Sequence, residues 1–255
     1  MTESPLLELR EVIVRFGGLV AVNGVSLSIS PGEVCALIGP NGAGKTSLFN
    51  AVSGNVVADS GSILFRGEEI RRLTPHEISA RGVRRTFQNG GLFAELTALE
   101  NVLVGLHARV DSRFFGLLFG QRSAAAEVAA TLRARELLAL MGMDAIADQR
   151  ASALSGGQQR IVEIVRALAT NPPLLLLDEP AVGLSPPARQ QLVAVIRKLA
   201  RERGVGILLI EHAIELVMSV ADRVVVLNEG RKVADAPPDE VRADRAVLEA
   251  YLGHA

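Results

Sequence analysis

The spacing of hydrophobic and polar positions changes along the chain in a way that maps its elements. From Leu6 to Ile29 apolar and polar residues alternate ("LLELREVIVRF", "VNGVSLSI"), the period of half-exposed strands. "SPGE" then turns the chain into the uninterrupted apolar run "VCALIG", a buried strand that feeds a glycine-rich loop. After Lys45 the spacing becomes helical through Val52 and stops at Gly54, a residue suited to a left-handed helix cap. "SGSILFRGEEI" predicts a further strand. "TPHEISARG" predicts a short helix with Thr74 as N-cap, Pro75 at its first position and Glu77 closing a capping box. "VRRTFQ" predicts a strand ending at Gln88.

Between Asn89 and Ala153 the strand signal nearly vanishes. "TALENVLVGLHAR", with a capping box at Thr97 and Glu100, and "AAAEVAATLRARELLALMG" predict helices that form a separate helical lobe. Beyond it the pattern alternates: "LLLLD", a helix from Pro186 to about Arg203, "VGILLI", a helix near Ile214 to Val220, and "RVVVL". That alternation predicts an α/β fold with a parallel sheet covered by helices.

With 255 residues, 49% apolar and 22% charged, the chain can bury a sizeable core. A formal net charge of -1 argues against nucleic acid as a partner, because its binders carry a basic patch or a high isoelectric point. No apolar run approaches the ~20 residues of a membrane-spanning helix. The start, "MTESPLLELR", lacks the basic-then-apolar order of a signal peptide, so the expected location is the cytoplasm. The single cysteine, Cys35, excludes an internal disulfide and, inside "EVCALIG", reads as a small buried hydrophobe.

Candidate chemistry lies in three stretches. "GPNGAGKT" satisfies G-x-x-x-x-G-K-S/T after a buried strand and at the start of a helix, so backbone N–H groups can surround a phosphate, Lys45 can reach the β- and γ-phosphates and the Thr46 hydroxyl can hold Mg²⁺. "LLLLDEP" delivers two carboxylates at a strand end, where alternation points neighbours in opposite directions. Asp178 is thereby placed for Mg²⁺ and Glu179 for the proton of an attacking water. In "LSGGQQR", Ser155 and Gln158 form a capping box around Gly156 and Gly157. This stretch reads either as a helix cap alone or as a second phosphate site.

Taken in order, Gly39 to Thr46, Gln88, Leu154 to Gln158, Leu174 to Glu179 and His212 resemble the ATP-binding cassette (ABC) ATPases over nearly the whole chain. The resemblance implies a single ABC ATPase domain over 1–255: a P-loop NTPase core with a parallel sheet, an N-terminal antiparallel β subdomain and a helical subdomain inserted at about 89–153. It implies ATP and Mg²⁺ as cofactors. ATP would be held by Gly39, Pro40, Asn41, Gly42, Ala43, Gly44, Lys45, Thr46 and Ser47, with Phe16 stacked on adenine in place of the commoner Tyr. Mg²⁺ would be held by Thr46, Gln88 and Asp178, and catalysis carried by Glu179, Gln88 and the switch histidine His212. Ser155, Gly156, Gly157 and Gln158 would grip the γ-phosphate of ATP held by a second cassette, a copy of this chain or a paralogue. Ser185, where the family usually has Asp or Asn, and Ala213, where Asp is frequent, depart from the pattern.

Within the family, "RTFQNGGLFAELTALENVLVG", "IVEIVRALATNPPLLLLDEPAVGLSP" and "AYLG" resemble the ATP-binding subunit of bacterial branched-chain amino acid importers. The implied partners are transmembrane permease subunits and, indirectly, a periplasmic binding protein, with the chain peripheral on the inner face of the cell membrane. The phenylalanine-rich "RFFGLLFGQR" would pack either within the helical lobe or against those subunits. The alternatives are a lipid or polysaccharide exporter cassette and a soluble ABC ATPase acting on nucleic acid or ribosomes. The soluble class carries long coiled coils or tandem cassettes, and this sequence has neither.

Overall fold

The computed structural model describes residues 4–86, 91–107 and 124–252, which divide into two compact units. The first comprises Met1–Arg85, Pro173–Ala181 and Ile196–Ala255; the second comprises Thr86–Pro172 and Val182–Val195.

In the first unit the alternating N-terminal segment forms β1 (Leu7–Phe16) and β2 (Leu19–Ile29). With β4 (Ser60–Phe65) and β5 (Glu68–Glu69) they make an antiparallel sheet of order β2-β1-β4-β5. Leu7, Leu9, Val12 and Val14 are buried, although strict alternation from Leu9 would turn Val12 outward. The pairing register shifts between Leu9 and Val12 and Glu11 has φ +47°, a bulge that returns Val12 to the inner face.

The second sheet consists of β3 (Val34–Ile38), β6 (Val83–Arg85), β7 (Leu174–Asp178), β8 (Gly206–Ile210), β9 (Arg223–Asn228) and β10 (Arg231–Ala236), in the order β10-β9-β3-β8-β7-β6. All its pairings are parallel except β9 with β10. Every residue of β3, β7 and β8 is buried, as expected of strands covered on both faces. Cys35, Leu37, Leu208, Ile210, Val225 and Leu227 share one core with the antiparallel sheet and with Leu48, Phe49 and Val52 of α1 (Lys45–Val52). On the opposite face Ala36, Ile38, Val224 and Val226 pack with Val217 of α7 (Ile214–Val220), Val241 of α8 (Pro238–Ala243) and Val247 of α9 (Arg245–Leu252). The adjacent strands β3, β8 and β7 pair in register up to their C-terminal ends. The loops that follow them therefore leave from one edge of the sheet, where open α/β sheets build their binding crevices.

The short helix α2 (Pro75–Arg81) carries the full capping box of Thr74 and Glu77. In the second unit, α3 (Ala98–His107) is capped likewise: Thr97 N–H and Oγ1 donate to Glu100 Oε2 at 2.7 and 3.0 Å, and Glu100 N–H donates back to Thr97 Oγ1 at 3.1 Å. Asn101, fully buried, accepts from the N–H of Phe93 and donates to the carbonyls of Phe93 and Thr97, which satisfies a polar group that would otherwise be costly there. α4 (Ala124–Leu140), α5 (Gly156–Leu168) and the first half of α6 (Pro186–Arg203) complete the unit. Among the described residues no helix is long and apolar enough to cross a membrane.

Candidate nucleotide-binding site

Between β3 and α1 the glycine loop is shaped by backbone that only glycine accommodates. Gly39 and Gly44 have φ of +148° and +98°, and a β-carbon would come within 2.1 Å of the Leu227 carbonyl oxygen at Gly39 and 2.2 Å of the Ala21 carbonyl oxygen at Gly44. The loop is thus pressed against the ends of β9 and β2, whereas Gly42 faces open space. The first turn of α1 contains no acid, so its unpaired N–H groups form a field suited to an anion. Lys45, the first residue of α1, is 5% exposed, and its ammonium donates to the carbonyls of Gly39 at 2.7 Å and Pro40 at 2.9 Å. Burial lowers its pKa below the ordinary lysine value, and the Glu179 carboxylate opposes that shift.

A cavity of about 500 Å³ opens over the loop, lined by Asn41, Gly42, Ala43, Gly44, Lys45, Thr46 and Ser47 together with Phe16, Leu19, Val20, Ala21, Glu179, His212, Glu229 and Gly230. That volume is in the range of small-molecule sites. Phe16 is 47% exposed and Leu19 66%, so both present apolar surface at the cavity instead of joining the core. The structure brings phosphate loop, aromatic, carboxylate and histidine to one place, although the sequence scatters them from position 16 to position 212.

Asp178 ends β7 with its side chain 9% exposed, and its Oδ2 accepts from Arg85 Nη2 at 2.7 Å. The same guanidinium donates through Nη1 to Asn50 Oδ1 at 2.7 Å and Ser53 Oγ at 3.0 Å, and lies over the Phe49 ring. Strand β6 and helix α1 are thereby tied to this carboxylate. Glu179 is reached by a left-handed step, φ +46°, with its N–H donating to the Ile210 carbonyl at 2.9 Å. Strand alternation stops at Asp178, so the separate aims of the two acids come from this step and not from the pleat. Glu179 Oε1 lies 3.1 Å from His212 Nε2, and in the Nε2–H tautomer the imidazole donates to the carboxylate.

In the second unit, Ser155 Oγ accepts from the Gln158 N–H at 3.3 Å and Gln158 Oε1 from the Ser155 N–H at 2.9 Å, closing the box at the start of α5. The two glycines differ. A β-carbon on Gly157 would lie 2.7 Å from Cβ of Ala188 on α6, whereas one on Gly156 meets nothing within 4 Å. Gly157 is thus a packing requirement, while Gly156 leaves the helix end uncovered. Ser185 is exposed and its carbonyl accepts from the Arg189 N–H in the first turn of α6. Gln88 and the stretch "RFFGLLFGQR" lie outside the described residues.

Sequence reasoning missed Arg85 and Glu211. Glu211 is 2% exposed and accepts backbone N–H groups from Ala181, His212 and Ala213. The signal for Glu211 was a carboxylate closing the apolar run "VGILLIEH", the same signal that marked Asp178. Arg85 had none, because its partner Asp178 is 93 residues away.

Among the described residues no cluster of three or more His, Cys, Asp or Glu could enclose a metal by itself. Thr46 lines the cavity, whereas Asp178, paired with Arg85, is not among its lining residues; hydroxyl and carboxylate are oxygen donors of the kind that Mg²⁺ accepts when phosphate oxygens and water complete its shell.

Comparison with known proteins bears on the family and the fold. Residues 22–182 match the family described as ABC transporter, and residues 231–255 match the branched-chain amino acid ATP-binding cassette transporter family. The chain is 44% identical over 252 residues to the high-affinity branched-chain amino acid transport ATP-binding protein BraF of Pseudomonas aeruginosa, covering 98% of this chain and 99% of the relative. Among solved structures, the ADP conformation of an ATP-binding cassette of an ABC transporter matches with a TM-score of 0.86 at 32% identity, covering 98% of this chain and 100% of that one. A dimeric post-hydrolysis state of an ATP-binding cassette bound to ADP and Pi matches with a TM-score of 0.74 at 27% identity, covering 91% and 98%. In motif order, in fold and in similarity over nearly its full length, the chain belongs to the ABC transporter family and is an ATP-binding cassette ATPase.

Proposed function

We propose that this chain is the ATP-hydrolysing subunit of a membrane importer for branched-chain or related amino acids, and that it works by closing with a second cassette over ATP. The observation that carries the chemical reading is that the phosphate loop and the Glu179–His212 pair line the same cavity. Loop N–H groups and Lys45 hold the phosphates, and Phe16 lies against the adenine ring. Glu179 accepts the proton of the attacking water, and His212 orients that carboxylate and contacts the terminal phosphate. Thr46, Asp178 and Gln88 would hold Mg²⁺, which would supply positive charge against the phosphates. The importer reading is supported by the match of residues 231–255 to the branched-chain family and by the likeness to BraF. On this reading the chain sits on the cytoplasmic face of the membrane, attached through permease subunits, and a periplasmic binding protein delivers the amino acid to them.

Uptake of radiolabelled leucine, isoleucine and valine is the test, in cells deleted for this chain and complemented with it or with Lys45→Ala. Restored uptake by the unaltered chain alone is expected. Equal restoration by Lys45→Ala would remove ATP binding at this loop from the mechanism, and normal uptake in the deletion would remove these amino acids as cargo.

A further inference from the structure

We propose that Glu211 is a positioning residue for hydrolysis, a buried carboxylate that fastens the turn carrying His212 to the segment following Glu179. The proposal rests on the roles given above to Glu179 and His212. Glu211 Oε1 accepts from the Ala181 N–H at 2.6 Å, and its Oε2 accepts from the N–H groups of His212 at 3.1 Å and Ala213 at 3.4 Å. Residue 211 is 2% exposed. Its two oxygens therefore face opposite ways, one toward the chain leaving β7 and the other toward the chain leaving β8. Glu179 and His212 themselves meet across the two turns at 3.1 Å, but His212 is 43% exposed at the side chain and Glu179 occupies a left-handed backbone position. Such a pair keeps its distance only if both turns are fixed from beneath. A carboxylate does this with charge-assisted bonds in a buried setting, where an acceptor facing several N–H donors is at its most effective. Neutral amide in the same place cannot satisfy both sides. The oxygen of a glutamine accepts from one turn, and its NH₂ group points donors at the N–H groups of the other.

These hydrogen bonds go to the two turns and not to the phosphate loop, which separates the expected effect on turnover from that on binding. The test is a double-mutant cycle on the full chain, with single-turnover ATP hydrolysis and the affinity for a fluorescent ATP analogue as readouts. Glu211→Gln is expected to slow hydrolysis about tenfold while analogue affinity stays within about twofold, because one of two charge-assisted straps is lost. In the His212→Ala background the same substitution is expected to add nothing, since its effect passes through His212. Glu211→Asp keeps the charge but is one methylene shorter, and a rate between those of the unaltered chain and Glu211→Gln is expected; it also serves as the cycle's variant if the glutamine form does not fold. Unchanged hydrolysis in Glu211→Gln, a loss of analogue binding as large as the loss of rate, or losses that simply add to those of His212→Ala would each overturn the proposal. A Glu179→Gln arm separates the two levels. Undiminished hydrolysis there sinks the general-base assignment itself, whereas hydrolysis lost there but untouched in Glu211→Gln sinks the role of Glu211 alone.

Discussion

Arg85 illustrates how one side chain joins elements that no local pattern connects. Its ion pair with Asp178 leaves the two side chains 11% and 9% exposed, and removal of one partner from a pair so buried strands the other charge. Arg85→Met is therefore expected to cost about 3–5 kcal/mol, with Asp178→Asn recovering part of the loss in that background. Urea unfolding of the nucleotide-free chain measures this, and a loss below about 1 kcal/mol would place the pair with ordinary surface bridges. Cys35 gives a prediction of the opposite kind. Burial pushes its thiol up to about 12, against ~8.5 for an unfolded cysteine, so folding favours the neutral form. The associated stability is complete below about pH 8.5 and is lost as pH rises from there toward 12. Native protein at pH 8 should not react with a disulfide reagent, whereas protein unfolded in urea should release one equivalent of its chromophore. Rapid labelling of the native chain would contradict the burial of Cys35.

At the level of elements, what the sequence disclosed depended on how local each signal was. The capping boxes at Thr74, Thr97 and Ser155 are written within four residues, and each forms as read. Central strands were legible as apolar runs because both faces of the parallel sheet are covered. The edge strand β10 escaped notice because most of it is exposed, giving neither alternation nor a continuous run, and α8 and α9 follow it with Val241 and Val247 in the core. In the candidate site, the glycine loop was legible for the same reason as the caps. The left-handed step at Glu179 was not, since nothing in "DEP" requires it. Helix α5 offers a test of how packing and function divide between adjacent glycines. Gly157→Ala should destabilise the chain by about 1–3 kcal/mol through overpacking against Ala188. Gly156→Ala meets open space and should leave the melting temperature unchanged or slightly raised, because alanine favours a helix over glycine. If the α5 N-terminus serves a partner's nucleotide, Gly156→Ala should nevertheless reduce ATP hydrolysis. Full hydrolysis in Gly156→Ala would leave this helix end as a cap and no more.

For the whole molecule, the property to test is the proposed association controlled by nucleotide. Among the described residues the first unit carries a phosphate loop and the second an uncovered helix N-terminus at Gly156, and a head-to-tail pair would give each bound ATP contacts from both chains. Glu179→Gln should retain Mg²⁺-ATP and slow its hydrolysis by about 10² to 10⁴, the usual worth of a general base. ATP kept intact should then hold two chains together, because a ligand shifts an equilibrium only by binding one state more tightly than the other. Size-exclusion chromatography with light scattering should find this variant dimeric in Mg²⁺-ATP and monomeric in ADP. Adding Ser155→Arg removes the cap hydroxyl and crowds the α5 N-terminus with bulk and positive charge, so the double variant should return to monomer while still binding ATP at Lys45. A variant that stays monomeric with ATP would redirect the reading to a paralogous partner, and mixing with that paralogue should then restore a heterodimer. Failure of both would leave Ser155 and Gln158 as a helix cap without a nucleotide to serve.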